Sequence, residues 1–289
     1  MKQKSTQRIV AVKELSYYSK EEKATFFQEA FVMRDVYRIV QQASSSSLSQ
    51  SSDSQPPFIH VVEPLGYFIN EEGDKAYLVL EFCSNGDMRK YINDMRKMGA
   101  DIKDERAFEL IGQIVSAVNQ LHDINIIHGD VKPENILMTE DFRIKLSDFG
   151  LARKLQEGRE YITHLGGSTL FLSPELLQSQ STQSDGTRYG KKEPQKLVQT
   201  RAADIYSIGV MLFELLAQRN PFIDNNEGDI SLFEIITRII NEEPAELPSH
   251  YSDSLKNLIK RMLAKDPSRR ITAEAILEFP EVAASLTKK

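Results

Sequence analysis

A single cysteine, Cys83, in 289 residues excludes an internal disulfide and any zinc site built on several thiolates. It fits a reducing, intracellular compartment, cytoplasmic or nuclear. Long apolar runs are also missing. The longest, Tyr206 to Ala217, is broken by Glu214 and is shorter than the about 20 residues a spanning helix requires, so membrane insertion is not expected. The opening residues MKQKSTQR carry no apolar core of a secretion signal. Basic excess is absent as well: 36 Lys and Arg against 42 Asp and Glu leave a net charge of −6, which argues against nucleic acid as a partner. No two of the five histidines have metal-ligand spacing, so no zinc is expected from them. No glycine occurs before Gly66. What remains, 40% hydrophobic and 27% charged residues, is the composition of a folded chain with a sizeable core.

The period of the apolar residues divides the chain. Arg8 to Leu15 is rich in β-branched residues and reads as a strand that carries Lys13. Ser19 to Glu22 has the form of a capping box, and Phe26, Ala30, Met33, Tyr37 and Val40 then follow at helical steps, predicting a helix of about five turns. Eight of the eleven residues from Ser44 to Ser54 are serine, closed by two prolines, so a flexible insertion is expected over about 42–57. Phe58 to Val62 and Ala76 to Phe82 read as two further strands, ended by Ser84-Asn85-Gly86-Asp87. Beyond them the period is helical. Phe108, Ile111, Val115, Val118 and Leu121 form one stripe, Ile205 to Leu216 is apolar almost all round, and Leu255, Leu258, Ile259, Met262 and Leu263 form another face. A Ser/Gln-rich and then basic stretch over about 177–201 reads as a second surface insertion, and both insertions are candidate places for a regulatory partner.

Ile127 to Asn135, with the sequence IHGDVKPEN, sets a carboxylate, an ammonium and an amide within six residues of one another on a segment whose proline prevents simple helix. Asp148-Phe149-Gly150 and Ser173-Pro174-Glu175 follow in order. With Lys13 in Ala11-Val12-Lys13 and Glu29 sixteen residues on, these ordered elements resemble the eukaryotic protein kinase family from Lys13 to about Pro280. The lysine two residues after Asp130 resembles the serine/threonine branch. Gly86 to Ile92 and Leu247 to Ser252 look most like the NIMA-related group.

The resemblance implies an α+β, two-lobed protein-kinase fold. It would be one domain over 1–289, with a small β-rich lobe over 1–82 that is truncated at its N-terminus and a mainly helical lobe over 83–289. It implies ATP and Mg2+ as cofactors and a protein substrate with a Ser or Thr acceptor. Asp130 is expected to orient or deprotonate the hydroxyl and Lys132 to neutralise the moving phosphoryl. Asn135 and Asp148 would hold magnesium, and Lys13, paired with Glu29, would contact the phosphates. Leu80, Glu81 and Cys83 match the strand and hinge that hold adenine, and Asp87 is placed to reach the ribose. Cys83 itself reads as an inert, partly buried thiol. Glu175 is expected to pair with Arg270, Asp204 to brace the catalytic loop, and His128 to pack beneath Phe149.

Three features depart from the family. The strands and Gly-x-Gly-x-x-Gly loop that cover the phosphates do not precede Lys13, which would leave its strand as an exposed sheet edge. Gly129 stands where the family has an arginine that reads phosphate on the activation loop. Asp204 lies 29 positions after Glu175, more than the family's usual span. The first departure keeps a second reading open, a pseudokinase or scaffold module with the fold and little or no turnover.

Overall fold

The computed structural model describes residues 8–46, 58–154, 162–163, 168–181, 198–224 and 227–287. Strand β1 (Val10–Ser16) is followed by helix α1 (Lys20–Ser46) and strands β2 (Pro64–Ile69) and β3 (Lys75–Glu81). The three strands make one antiparallel sheet in the order β1-β3-β2, with Lys13 opposite Leu78. Among the described residues β1 is therefore an edge. The capping box forms: the Ser19 amide donates to Glu22 Oε2 at 2.7 Å and the Glu22 amide to Ser19 Oγ at 3.0 Å. Phe26, Met33, Val36 and Val40 then bury one face of α1 in the core. Tyr17, Phe26, Phe27 and Tyr67 meet edge to face, joining α1 to β2.

Two expectations are corrected here. Phe58 to Val62 is not a strand of this sheet. Its end is held against the other lobe, where the Val62 amide donates to Leu146 O at 2.9 Å and the Leu146 amide to His60 O at 2.7 Å, leaving only an isolated bridge at Val61. The strand is instead Pro64–Ile69, whose proline, glycine and mostly exposed residues hide it from periodicity, and which shifts register between Pro64 and Gly66. Helix α1 is also longer than five turns. It spans 27 residues and runs through Ser46, because three serines cost little once the preceding turns are packed. The rest of the Ser-rich insertion, 47–57, lies outside the described residues.

The second lobe starts with α2 (Met88–Met98) and α3 (Asp104–His122). Asp87 caps α2 by accepting from the Lys90 amide at 2.7 Å, and Gly99 closes it with φ 58°. Short strand pairs follow: β4 (Ile126–Ile127), β5 (Ile136–Met138), β6 (Ile144–Leu146), β7 (Arg153–Lys154) and β8 (Ile162–Thr163). Next come α4 (Pro174–Ser181), β9 (Val198–Gln199), α5 (Arg201–Ala217), α6 (Leu232–Asn241), α7 (Asp253–Met262), α8 (Ala273–Leu277) and α9 (Pro280–Thr287). Both ends of the second insertion are thus structured, as α4 and β9, while 182–197 lie outside the described residues. The three helical stripes expected of the second lobe are buried on α3, α5 and α7. No helix among the described residues is long and apolar enough to cross a membrane.

Arg270 is the buried tie of this lobe. Its Nη1 and Nη2 donate to Glu175 Oε1 and Oε2 at 2.8 and 3.0 Å, and the same guanidinium donates to the Ala202, Ala264 and Lys265 carbonyls. A buried cation is tolerated because all these donors meet oxygen. Arg270 also lies 5.0 Å over the Tyr206 ring.

Candidate active site

Asp204 organises the site from below. It sits 2% exposed near the start of α5, where a lone carboxylate is costly, and it accepts three hydrogen bonds. Oδ2 receives His122 Nε2 at 2.9 Å and the His128 amide at 3.0 Å, while Oδ1 receives the Gly129 amide at 3.0 Å. Burial would raise its pKa, but the hydrogen bond and charge of His122, with the Gly129 amide, hold it below the ordinary aspartate value. The loop after β4 is thereby fixed by its own backbone.

His128 is held through both ring nitrogens. Its Nε2 donates to Ser147 O at 3.1 Å and its Nδ1 accepts from the Asp130 amide at 3.3 Å, which one tautomer satisfies. The ring lies 5.2 Å from that of Phe149, as the packing reading expected.

Above this base the polar side chains converge. Lys132 Nζ is 2.7 Å from Asp130 Oδ2. Asn135 Nδ2 donates to the Asp130 carbonyl at 2.8 Å and to Oδ2 at 3.1 Å. Because the Asn135 amide hydrogens face Asp130, its oxygen is what it can offer a cation. Asp148, at φ 59°, holds a conformation rare outside glycine and leaves its carboxylate 38% exposed. Lys13 crosses from β1 to meet both sides, with Nζ 2.6 Å from Glu29 Oε1 and 3.4 Å from Asp148 Oδ1. Burial alone would lower the Lys13 pKa, yet Glu29 and then Asp148 raise it, so it stays an ammonium. Glu29 lies 6% exposed on the inner face of α1.

The hinge residues divide by role. Leu80 packs against the core at the end of β3. The Glu81 carboxylate accepts from Lys145 Nζ at 2.6 Å and from the Glu63 amide at 2.7 Å, so its side chain braces the lobes rather than facing a ligand. Asp87 Oδ1 is engaged in capping α2. Cys83 is 7% exposed, and burial, with the Glu81 charge, pushes its thiol up to about 11. At pH 8 the native thiol is expected to react with a disulfide reagent more than about tenfold more slowly than in the urea-unfolded chain, since the thiolate is the nucleophile. A rate of modification equal in the two states would contradict the buried placement.

Oxygen from Asn135 and Asp148, with phosphate oxygens and water, suits a hard divalent cation such as magnesium. Among the described residues no three His, Cys, Asp or Glu side chains gather into a cage, which a cation shared with phosphates does not need.

The family model described as "Protein kinase domain" matches residues 1–280. The chain belongs to the protein kinase family. Its similarity is to the serine/threonine branch. The kinase domain is 31% identical to serine/threonine-protein kinase PLK4 of Drosophila grimshawi over 73% of this chain and 24% of that protein. It is 33% identical to serine/threonine-protein kinase Nek6 of Oryza sativa subsp. japonica, over 73% of this chain and 34% of that protein. A SNF-related serine/threonine-protein kinase of Homo sapiens is 34% identical over 74% of this chain and 25% of its own length. The chain covers only about a quarter to two fifths of the curated relatives it matches first. Comparable identity to several differently named kinases does not single out the NIMA-related group.

Two parts of the kinase site escaped the sequence. The Ser168 amide donates to Asp130 Oδ1 at 3.1 Å, and a backbone donor leaves no residue signature. His122 as a partner of Asp204 joins positions 82 residues apart and none of the motifs includes it.

Proposed function

We propose that this domain transfers the γ-phosphoryl group of Mg-ATP to serine or threonine hydroxyls of proteins, as one kinase domain over 1–289 working where ATP is plentiful, in cytoplasm or nucleus. The reading is carried by Lys13, which reaches Glu29 at 2.6 Å and Asp148 at 3.4 Å and so spans both lobes in one line of charge. In this reading the Lys13 ammonium binds phosphate oxygens, and backbone groups from Glu81 to Cys83 receive the adenine beside Leu80. Asp87 reaches the ribose with the oxygen not used in capping. Asn135 and Asp148 hold magnesium, which when bound neutralises and orients the triphosphate. Asp130 orients the acceptor hydroxyl and takes its proton as oxygen bonds to phosphorus and the bond to the leaving diphosphate breaks. Lys132, 2.7 Å from Asp130, neutralises the transferring group.

The alternative is a kinase-fold module that binds without turnover. Incubation of the full chain with labelled ATP, magnesium and a Ser/Thr peptide library separates the two. Incorporation on serine or threonine is expected, abolished by EDTA, with Asp130→Asn lowering kcat at least about 100-fold while ATP affinity changes little. Binding of Mg-ATP without incorporation would select the alternative. Equal incorporation by Asp130→Asn would expose a contaminating kinase.

A further inference from the structure

Gly129 holds φ 80° immediately before Asp130, and the side on which a side chain would stand is already filled. A Cβ built there would lie 2.7 Å from Gln199 Nε2, closer than Cβ atoms come to other groups, and 3.1 Å from Oε1, a tight contact. Gln199 is 5% exposed, so its amide is held in place rather than resting on the surface. Its backbone belongs to β9, where it pairs with Ile162 of β8, in the segment between Asp148 and Glu175. After one intervening residue α5 begins and carries Asp204, whose Oδ1 holds the Gly129 amide.

We infer that Gln199 is a positioning residue for the catalytic loop. Its amide packs on Gly129 and couples the β8–β9 pair to the backbone that aims Asp130. This inference deepens the kinase reading and rests on it. The loop is clasped between Asp204 below and Gln199 beside it. The Ser168 amide adds a third hold directly on the Asp130 carboxylate. An arginine at position 129 would both adopt a disfavoured φ and collide with Gln199, so glycine at 129 and glutamine at 199 form a complementary pair. The clasp uses no phosphate. A guanidinium that would draw a phosphorylated segment onto the loop is replaced by packing that the unmodified chain already makes.

The test compares Gln199→Ala, Gln199→Met, Gly129→Ala and the double variant Gly129→Ala with Gln199→Ala, all in the full chain. Gln199→Ala is expected to lower kcat tenfold or more with KM for ATP within twofold, because Asp130 is misaimed while Lys13 and the hinge are untouched. Gln199→Met, of similar length and volume, is expected to keep more than half of wild-type kcat. Gly129→Ala is expected to lose kcat like Gln199→Ala. Adding Gln199→Ala to it should cost nothing further or recover part of the loss, since the collision is removed. Hydrogen exchange on the nucleotide-free chain gives a readout independent of turnover: Gln199→Ala should deprotect residues 128–130 and 162–163 together. Wild-type turnover with a Gln199→Ala kcat within twofold, or losses that multiply in the double variant, would overturn the inference and leave the kinase reading standing. A wild type without turnover would overturn the kinase reading, and the joint deprotection would still support the clasp.

Discussion

Asp148→Asn is expected to abolish phosphoryl transfer, lowering kcat/KM at least about 10³-fold, or about 4 kcal/mol of transition-state stabilisation. The substitution keeps the shape of the side chain and removes one negative charge at the point where a divalent cation and the Lys13 ammonium, 3.4 Å away, both seek it. The carboxylate is partly exposed and, among the described residues, its polar contacts are Lys13 and the Gly150 amide, both at 3.4 Å, so folding should scarcely register the change. Thermal unfolding of the nucleotide-free variant is expected within about 2 °C of wild type, and the magnesium-dependent gain in Tm with ATP should vanish. Retained turnover would remove Asp148 from the proposed chemistry. A collapse in Tm without nucleotide would show that its role is structural.

Asp204→Ala should have the opposite signature, a loss of stability first. Removing the carboxylate leaves the His128 and Gly129 amides and the His122 ring N–H without their acceptor inside the core. Breaking a buried charged network of this kind costs about 3–5 kcal/mol, a large part of the stability of an ordinary domain. Urea unfolding should show it as a lower midpoint, and Asp204→Asn, which keeps the volume, separates lost bonds from lost packing. The pH dependence has a definite sign. Because the folded pKa lies below the ordinary aspartate value, the charged form stabilises the fold at all higher pH and is lost as pH falls through the folded pKa. The gap between wild type and Asp204→Asn is therefore expected to stay constant from about pH 8 to 5 and to close in stronger acid. A gap that widens below pH 5 would contradict the assignment.

The candidate site was more legible than the architecture around it. Asp130, Lys132, Asn135 and Asp148 stand out through their resemblance to family motifs that keep their order along the chain, and the fold brings the Asp130, Lys132 and Asn135 side chains within hydrogen-bond reach of one another. Glu29 could be found because a carboxylate on an apolar stripe needs a buried partner, and Lys13 is that partner. Strand β2 could not, since its signal was spread over Pro64, Gly66 and side chains facing water. The end of α1 was misplaced for a related reason: local propensity stops at the serines, whereas the packing of Phe26 to Val40 carries the helix past them. Gln199 was invisible because its meaning depends on what Gly129 lacks, 70 positions earlier.

Helix α1 also acts as a lever. Its 27 residues make a rod about 40 Å long, and Glu29 stands only nine residues from one end, with the Ser-rich stretch attached at the other. A tilt of about 10° about the middle of that rod would move its far tip by roughly 3 Å and Glu29 by about 1 Å in the opposite sense. A displacement of that size is enough to open the 2.6 Å contact with Lys13. Force applied at the serine end is thus geared down into a small stroke at the ion pair, and a weak grip far from the nucleotide gains mechanical advantage over the line of charge that joins the two lobes.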